Sequence, residues 1–357
     1  PDHMNIKITV SGKEKQHLSF NINNITRGFH KYWEEPTYKS GSCNVDVACP
    51  ESAGWEAEIS SVGRYTFSTS EGSFLCTGQL LNNTAQDGKP IFSTADHCGY
   101  SGNNGQVSLS ERQNTAASIA LTWNYQSQSC RSPGSSQSGS QISTSGFNDR
   151  QSGATYLASN PASDFALVEL NITPSLSYNI EYSGWDRTDM APGSAVAIHH
   201  PSGHAKRISF ENDPLSITSY LSTTRGAGTH LRVEDWDLGT TEGGSSGSGL
   251  WSSDHLFVGQ LHGGAAACGN DEPDWYGRLA YSWDNGSNAQ SRMKDWLDPL
   301  NTGQTTLQGS AGCEAPSVSI TNNSNNRVGS LLTFGSSVSG GAGGYTYTWD
   351  INADGHA

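Results

Sequence analysis

Three short segments of the chain carry the residue types that acyl-transfer chemistry uses. His97 follows the apolar run 91–92 and stands beside a cysteine. Asp164 comes directly before an apolar strand pattern, and Ser246 lies in the glycine-rich run 243–249. A serine nucleophile needs a base to take its proton, and that base needs an acid to hold it in the right tautomer. The order His, Asp, Ser along the chain therefore predicts a catalytic triad.

Each segment taken alone has a simpler interpretation. A histidine beside a cysteine is ordinary near a disulfide, an aspartate often caps a turn, and a glycine-rich run is often a linker or a hairpin. The glycines around Ser246 nevertheless allow the backbone to turn so that the N–H groups of Gly244 and Ser246 converge on one point. The combination predicts an oxyanion hole beside the nucleophile.

Asp96 is the alternative partner for His97, because the two residues are adjacent. In an extended chain neighbouring side chains point to opposite faces, so we expect Asp96 not to reach the ring of His97. The apolar strand behind Asp164 would bury that carboxylate and strengthen its hydrogen bond to the histidine. The sequence therefore favours Asp164 as the acid of the triad.

The elements that must position these residues are mostly strands. Short apolar alternations separated by Gly, Asn, Asp and Ser between residues 40 and 308 predict an all-β architecture. The Ser-, Gln- and Gly-rich segment 126–153 predicts a long exposed loop. One segment, 288–297, has helical periodicity, with Asn288 as its cap. The apolar positions of that predicted helix are Met293, Trp296 and Leu297.

Composition excludes several classes of protein. The chain has 357 residues and a net charge of −14, from 34 acidic and 20 basic side chains. Ten Trp, ten Phe and 13 Tyr argue against general disorder, because disordered chains are poor in aromatic residues. No apolar run approaches the roughly 18 residues of a membrane-spanning helix, and no basic excess offers a surface for nucleic acid. We therefore expect a folded protein that binds neither membranes nor nucleic acids.

The cysteines indicate disulfides rather than a metal centre. The chain contains seven of them and no CxxC pair, and metal or redox clusters usually show close pairs. His199 and His200 could suggest a metal site, but adjacent residues on a strand diverge and no third ligand is evident. We expect an exported protein with structural disulfides and no metal or cofactor. The cysteines are Cys43, Cys49, Cys76, Cys98, Cys130, Cys268 and Cys313.

The three catalytic segments resemble the histidine, aspartate and serine motifs of chymotrypsin-like serine proteases. Further motifs are similar to one branch of that family, the bacterial lysyl endopeptidases of the Lys-C type. The resemblance spans roughly residues 40–310 and implies two six-stranded antiparallel β-barrels with the site in the cleft between them. The additional motifs are 40–51, 123–126, 184–187, 198–201 and 259–264.

The resemblance also implies how the cysteines pair and leaves Cys313 outside the protease unit. The tethered amino terminus of this branch replaces the zymogen switch of trypsin, so activation need not depend on a newly formed free amine. The implied disulfides are Cys43 with Cys268, Cys49 with Cys130, and Cys76 with Cys98.

A pocket that selects lysine needs a carboxylate, because burying an unpaired ammonium is costly. Thr240 stands six residues before Ser246, where trypsin-like enzymes carry that aspartate. The resemblance instead implies that Asp274, just before a Tyr-Gly-Arg strand, is the residue that selects lysine. Without the resemblance, the sequence around Asp274 indicates a surface turn. The substrate-binding residues that the resemblance implies beside it are His262, Gly263 and Gly264, with Tyr220 replacing the Trp on which the family histidine stacks.

These predictions describe a secreted, extracellular bacterial serine endopeptidase that cuts peptide or protein substrates on the carboxyl side of lysine. We expect a monomer. One alternative is a relaxed trypsin-like protease that accepts Lys and Arg. Another is an inactive protease-fold protein whose carboxyl-terminal part anchors it to a surface.

Three segments of the chain are expected. Residues 1–39 are interpreted as a leader or pro-segment remnant, or as sequence added for expression, and Lys39 would allow self-cleavage before the family-like start. Residues 40–310 form the trypsin-like protease domain. Residues 311–357 form a linker and a truncated β-sandwich, because the run 349–355 resembles modules of the polycystic-kidney-disease (PKD) type.

Overall fold

The computed structural model describes residues 40–101, 107–143, 146–312, 317–322 and 334–339. The leader 1–39, Cys313 and the PKD-like run 349–355 lie outside the described residues. The all-β prediction is confirmed: strands dominate, nearly all pairings are antiparallel, and the α-helices are short. No helix in the described ranges is long and apolar enough to cross a membrane.

The first sheet has seven antiparallel strands in the order β6-β5-β2-β3-β4-β8-β7. Two adjacent inner strands of this sheet, β4 and β8, are almost wholly buried. They pair in a register that sets Ala95 opposite Phe165. The strands are β2 (Val62–Thr69), β3 (Gly72–Leu81), β4 (Ile91–Ala95), β5 (Ala120–Thr122), β6 (Arg150–Ser152), β7 (Ala154–Asn160) and β8 (Phe165–Leu170).

The second sheet contains ten strands, eight of them in the order β1-β12-β11-β15-β16-β17-β14-β13. Strand β10 pairs with both β16 and β18 at its side, and β9 pairs separately with β19. The ten strands are β1 (Val45–Asp46), β10 (Trp185–Asp186), β11 (Ala195–His199), β12 (Arg207–Glu211), β13 (Ser216–Thr218), β14 (His230–Val233), β15 (Gly249–Ser252), β16 (Phe257–Gly264), β17 (Asp274–Arg278) and β18 (Thr306–Leu307). The separate pair is β9 (Glu181–Tyr182) with β19 (Ser310–Ala311).

Residues beyond the protease-like part form one further strand pair. Strands β20 (Ser317–Asn322) and β21 (Phe334–Ser339) are antiparallel. The described residues contain no more of the predicted sandwich, so the PKD-like assignment stays a prediction.

A hydrophobic core joins the two sheets. It combines Val62 and Ile91 from the first sheet with Ile198 and Trp251 from the second, all fully buried. Because burial of a large apolar side chain contributes roughly 1.5–3 kcal/mol, this shared core holds the sheets in a fixed relation. The edge where both sheets meet can therefore carry a rigid site.

The three disulfides confirm the implied pairing. Cysteines that are distant in the sequence are bonded, and closing such loops stabilises the folded state by roughly 3–5 kcal/mol each in the loop-entropy model. The bonds are Cys43–Cys268, Cys49–Cys130 and Cys76–Cys98, with sequence separations of 225, 81 and 22 residues.

The prediction of an exposed loop over 126–153 is wrong in two respects. Its last residues form strand β6, and its described part is anchored, with Ser138 fully buried. Arg131 Nη2 lies 2.6 Å from Asp46 Oδ1, and Arg207 Nη1 lies 2.8 Å from the same oxygen. Two buried guanidinium groups around one carboxylate thus fix a segment whose composition alone looks mobile.

The helix predicted over 288–297 is interrupted. A 3-10 turn, Ala289–Ser291, is capped by Asn288 as expected, and Arg292 is then extended. The Met293 N–H bonds the carbonyl of Ser282 rather than continuing the helix. Met293 and Leu297 are nevertheless fully buried, so the apolar face was identified correctly. The α-helices are α1 (Glu56–Ser61), α2 (Leu109–Ala117), α3 (Leu279–Asp284) and α4 (Lys294–Leu297).

Candidate active site

Strand register brings His97 and Asp164 together. His97 follows the end of β4 by two residues, Asp164 directly precedes β8, and these strand ends are paired. The main-chain N–H of His97 donates to Asp164 Oδ1 at 2.9 Å, and the ring Nδ1 lies 2.8 Å from Oδ2. The carboxylate can only accept, so Nδ1 carries the proton and Nε2 keeps a lone pair. This is the tautomer that a general base requires.

Asp96 does not contact the His97 ring through a hydrogen bond in the described residues. The extended backbone expected at Asp96 and His97 is wrong, because both residues lie in a turn after β4. The carbonyl of Asp96 accepts from the N–H groups of Tyr100 and Ser101, which closes that turn. Its side chain is fully buried, and this burial raises the pKa of Asp96 to about 6.

The electrostatics of His97 follow from these carboxylates. Burial lowers the pKa of the imidazole, but the hydrogen bond to Asp164 and the charges of Asp164 and Asp96 outweigh it, so the pKa lies above its ordinary value. His97 is about one third exposed, whereas Asp164 is buried. The imidazole ring is therefore reachable from solvent, whereas the Asp164 carboxylate is shielded from it.

The loop 242–248 holds Ser246 through its own carbonyl groups. The Thr77 N–H donates to the Ser246 carbonyl at 2.9 Å, and the Thr77 hydroxyl donates to the Gly244 carbonyl at 2.9 Å. The Gly247 N–H donates to the carbonyl of Leu261 at 2.9 Å. The loop is thus fixed to β3 on one side and to β16 on the other.

Two backbone donors of this loop remain available. Among the described residues, the N–H groups of Gly244 and Ser246 have no hydrogen-bond acceptor. Gly244 has φ +91°, a conformation that favours glycine. Free amides beside a nucleophile can receive the negative oxygen of a tetrahedral intermediate.

The serine loop packs against the histidine turn. Sγ of Cys98, the residue after His97, lies 3.9 Å from the Ser246 carbonyl oxygen. A Cβ on Gly247 would come within 2.2 Å of Thr94 Oγ1, so only glycine permits this approach. No hydrogen bond joins the Ser246 hydroxyl to His97 in the described residues, and such bonds are often long without substrate.

His262 and Tyr220 form a stacked pair next to His97 and Asp164. Their ring centroids are 3.6 Å apart with an interplanar angle of 5°. His262 also stacks on His97 at 5.6 Å, and its Nε2 lies 3.9 Å from Asp164 Oδ2. Burial lowers the pKa of His262, with His97 adding to the effect and Asp164 opposing it. Tyr220 thus occupies the stacking position proposed from the sequence.

Sequence reasoning missed His230, which supports this pair. Its Nε2 lies 3.0 Å from His262 Nδ1, and burial together with His262 lowers its pKa to about 3. His230 lies on β14, 32 residues before His262, and no local pattern marks it.

One group of side chains could hold a metal ion in the part of the chain that the structure describes. His97, Asp164 and His262 offer ligand atoms within 4.8 Å of one another. The Nδ1 of His97 is already bonded to Asp164, so hydrogen bonding and stacking account for the arrangement. The adjacent His199 and His200 are fully buried instead; His199 bonds Ser245 Oγ at 2.8 Å.

Asp274 is buried, contrary to its surface-like sequence context. It begins β17 opposite Gly264 of β16 and is 1% exposed. Oδ2 accepts from Trp236 Nε1 at 2.9 Å and from the Thr241 hydroxyl at 2.7 Å. Burial raises the pKa of Asp274, and these hydrogen bonds oppose the increase.

Glycines line the approach to that carboxylate. A Cβ on Gly264 would lie 2.4 Å from Asp274 Oδ1, and one on the preceding Gly263 would lie 3.6 Å from the Tyr220 hydroxyl. Thr240, at the position of the trypsin aspartate, is buried next to Thr241. The sequence did not identify Trp236 or Thr241 as partners of Asp274.

Comparisons with known proteins agree with this arrangement. The family described as lysyl endopeptidase, C-terminal domain, matches residues 37–277. A lysyl endopeptidase of Pseudomonas aeruginosa is 34% identical over 240 residues, which are 64% of this chain and 47% of that protein. The chain therefore belongs to the lysyl endopeptidase family, and it spans about half the length of this curated relative.

Solved structures of proteases are also similar to the chain. The thermostable serine protease AL20 from an extremophilic microorganism has 14% identity and a TM-score of 0.42, over 62% of this chain and 92% of that one. The protease Anisep from Arthrobacter nicotinovorans has 13% identity and a TM-score of 0.40, over 66% and 93% of the two chains.

Proposed function

We propose that the protein is a serine endopeptidase that cleaves on the carboxyl side of lysine through an acyl-enzyme. The observation that carries the proposal is the two-point contact of Asp164 with His97, to its main-chain N–H and to its ring. It stands next to a serine loop with two free amides. No metal or cofactor enters the mechanism.

The proposed reaction has two stages. Ser246 Oγ attacks the scissile carbonyl carbon while His97 Nε2 takes the hydroxyl proton, and the amides of Gly244 and Ser246 hold the oxyanion. His97 then gives that proton to the leaving amine, the C–N bond breaks and an ester forms. In the second stage His97 takes a proton from water and the water oxygen attacks the ester carbonyl carbon. The ester C–O bond then breaks, His97 returns the proton to Ser246 Oγ, and the carboxylic acid product leaves. Asp164 keeps the ring oriented and stabilises its charged form.

Lysine selection is assigned to Asp274. An ammonium group is a donor without an acceptor, and the buried carboxylate can accept from it at Oδ1 while Oδ2 still bonds Trp236 and Thr241. Gly263 and Gly264 at the end of β16, together with His262 and Tyr220, would bind the substrate main chain and neighbouring side chains. The substrates are peptides or proteins with lysine before the scissile bond.

The same reasoning extends to the organisation of the chain. We infer that residues 40–310 form the protease domain, with the two sheets curled into two six-stranded barrels, and that 311–357 form a linker and a partial PKD-like module. The disulfides support secretion, since such bonds persist in oxidising compartments. We expect a monomer.

Removal of the leader 1–39 by cleavage after Lys39 belongs to the same proposal. Intact-mass measurement of active protein should find an amino terminus at Ser40. Active protein that retains Pro1 would contradict this cleavage without affecting the triad.

A relaxed protease that accepts Lys and Arg, and an inactive protein of the same fold, are the competing functions. Matched reporter peptides with Lys, Arg or Glu before the scissile bond distinguish them when wild type and Ser246→Ala are compared. We expect cleavage of the Lys reporter by the wild type alone. Equal or faster cleavage of the Arg reporter would contradict lysine selection. If neither the wild type nor Ser246→Ala cleaves any reporter, the proposal that the protein is an endopeptidase is contradicted.

A further inference from the structure

Glu242 has no role in the proposed reaction, although it stands four residues before Ser246. Its carboxylate accepts two hydrogen bonds from residues 40–44, called here the amino-terminal segment because they begin the predicted protease domain. The Gly41 N–H donates to Oε1 at 2.5 Å, and Asn44 Nδ2 donates to Oε1 at 2.8 Å. The Ser202 hydroxyl donates to Oε2 at 2.8 Å. Glu242 therefore connects three parts of the chain.

The amino-terminal donors are themselves held firmly. The Cys43–Cys268 disulfide fixes the segment, and a Cβ on Gly41 would lie 2.1 Å from Cys268 Sγ. Asn44 Nδ2 also donates to the carbonyl of Gly41 at 3.0 Å. Strand β1 follows at once and pairs with β12. The disulfide, the Asn44 hydrogen bond and the strand pairing therefore hold this segment in one position.

The main chain of Glu242 is bonded to the loop that carries the two proposed oxyanion-hole amides. The Ser245 N–H donates to the Glu242 carbonyl at 2.9 Å, and the Glu242 N–H donates to Ser245 Oγ at 3.3 Å. The Ser202 N–H donates to the Gly243 carbonyl at 2.6 Å. The tight turn 242–245 therefore sets the direction of the Gly244 amide. Misplacement of catalytic groups by about 1 Å can cost on the order of 10²-fold in rate.

We propose that Glu242 is a positioning residue that locks the oxyanion loop onto the amino-terminal segment 40–44. This inference rests on the proposed function, because it assigns the geometry of the oxyanion hole to that contact. Its loss would weaken stabilisation of the tetrahedral intermediate. Binding of the lysine side chain at Asp274 should change far less, because Trp236, which lies outside the turn 242–245, also holds that carboxylate.

The test compares Glu242→Ala and Glu242→Gln with wild type. We expect Glu242→Ala to lower kcat on a Lys reporter by about 10- to 100-fold, less than the 10²- to 10³-fold loss typical of removing an oxyanion donor outright. Affinity for a peptidyl-lysine boronate, which forms a tetrahedral adduct, should fall in parallel. KM and the inhibition constant of n-butylamine should change less than about 2-fold.

Glu242→Gln provides the conservative rescue. Its amide oxygen can still accept from Gly41 and Asn44, and its amide nitrogen can donate to the Ser202 hydroxyl. We expect kcat within about 3-fold of wild type. Glu58→Ala is the matched control, because Glu58 is buried and bonded to His255 in another part of the fold, with Nδ1 to Oε2 at 3.2 Å.

Two results would overturn the proposal: Glu242→Ala with unchanged kcat, or an equal loss of n-butylamine and boronate affinity. If Glu242→Ala does not fold, Asn44→Ala and Ser202→Ala are tested in the same way. Amide hydrogen exchange over 243–246 should accelerate in the variants whether or not the wild type cleaves Lys. Failure of the proposed function is thereby distinguished from failure of the role of Glu242.

Discussion

Asp164 contacts His97 through both carboxylate oxygens. Oδ1 accepts from the main-chain N–H of His97 at 2.9 Å, and Oδ2 lies 2.8 Å from Nδ1 of the His97 ring. The two-point contact fixes both the position of the turn and the tautomer of the imidazole. It exists because β4 and β8 pair with Ala95 opposite Phe165. The strand pairing of the first sheet therefore determines the orientation of the His97 ring.

Asp164→Asn should lower kcat by about 10⁴-fold on a Lys reporter, because an amide can donate to Nδ1 and so favour the wrong tautomer. Steady-state kinetics of the purified variant provide the measurement, and the exposed Asp254→Asn is the control. An Asp164→Asn protein with near wild-type kcat would show that another group orients His97.

Asp96→Asn should move the acidic limb of the pH profile of kcat/KM to lower pH. The Asp96 charge contributes to raising the pKa of His97, and the neutral imidazole is the active base. Removing that charge lets His97 lose its proton at lower pH. The profile of each protein should be recorded between pH 4 and 9. A limb that stays in place or moves upward would contradict this account.

Asp274→Asn should lower kcat/KM for a Lys reporter by roughly 10³-fold or more, because the substrate ammonium would enter a buried site without a countercharge. A norleucine reporter has a similar shape and no charge, so its cleavage should fall far less. The Lys-to-norleucine ratio of kcat/KM is the quantity to measure. An unchanged ratio would place the lysine-reading group elsewhere.

Lys206 makes the stability of the protein depend on pH. It is fully buried, its Nζ donates to the Ile59 carbonyl at 2.6 Å, and burial lowers its pKa from 10.5 to about 7. Between these two values the unfolded chain holds more protons, so the contribution of Lys206 to the free energy of unfolding rises with pH. Below about pH 7 Lys206 is charged in the folded protein, and the burial of this charge lowers the free energy of unfolding by its full amount.

Lys206→Met should therefore raise Tm most at pH 7 and below, and this advantage should shrink toward pH 10. Thermal unfolding of both proteins across that range measures the difference. Lys294→Met is the control for loss of a lysine charge, because Lys294 is partly exposed and paired with Asp284. A pH-independent effect of Lys206→Met would contradict the buried-cation account.

Local patterns predicted the all-β class and, through the apolar strand behind Asp164, the acid partner of His97. The apolar run 91–92 and the apolar stretch after Asp164 lie in the buried strands β4 and β8, and the pairing of these strands brings the two side chains together. Helix α2 was missed although Ser108 and Glu111 form a capping box, a signal that could have identified its start. The break at Arg292 could not be anticipated, because it depends on a bond from Met293 to Ser282.

Long-range polar contacts were the part that sequence reasoning could not supply. Three sets of contacts join residues at least 30 positions apart: Asp46 with Arg131 and Arg207, His230 with His262, and the Glu242 carboxylate with Gly41 and Asn44. Side-chain polarity alone does not say which partner a charge meets. The disulfide pairing and Asp274 came from resemblance to a family, not from periodicity.

Covalent labelling of Ser246 tests the central claim most directly. The wild type and Asp164→Asn are incubated with a phosphonate ester that carries a lysine-like side chain, and adducts are located by peptide mass spectrometry. The account predicts one adduct per molecule, on Ser246, formed much more slowly in Asp164→Asn. Absence of an adduct in the wild type, or an adduct on another residue, would contradict the assignment of Ser246 as the nucleophile.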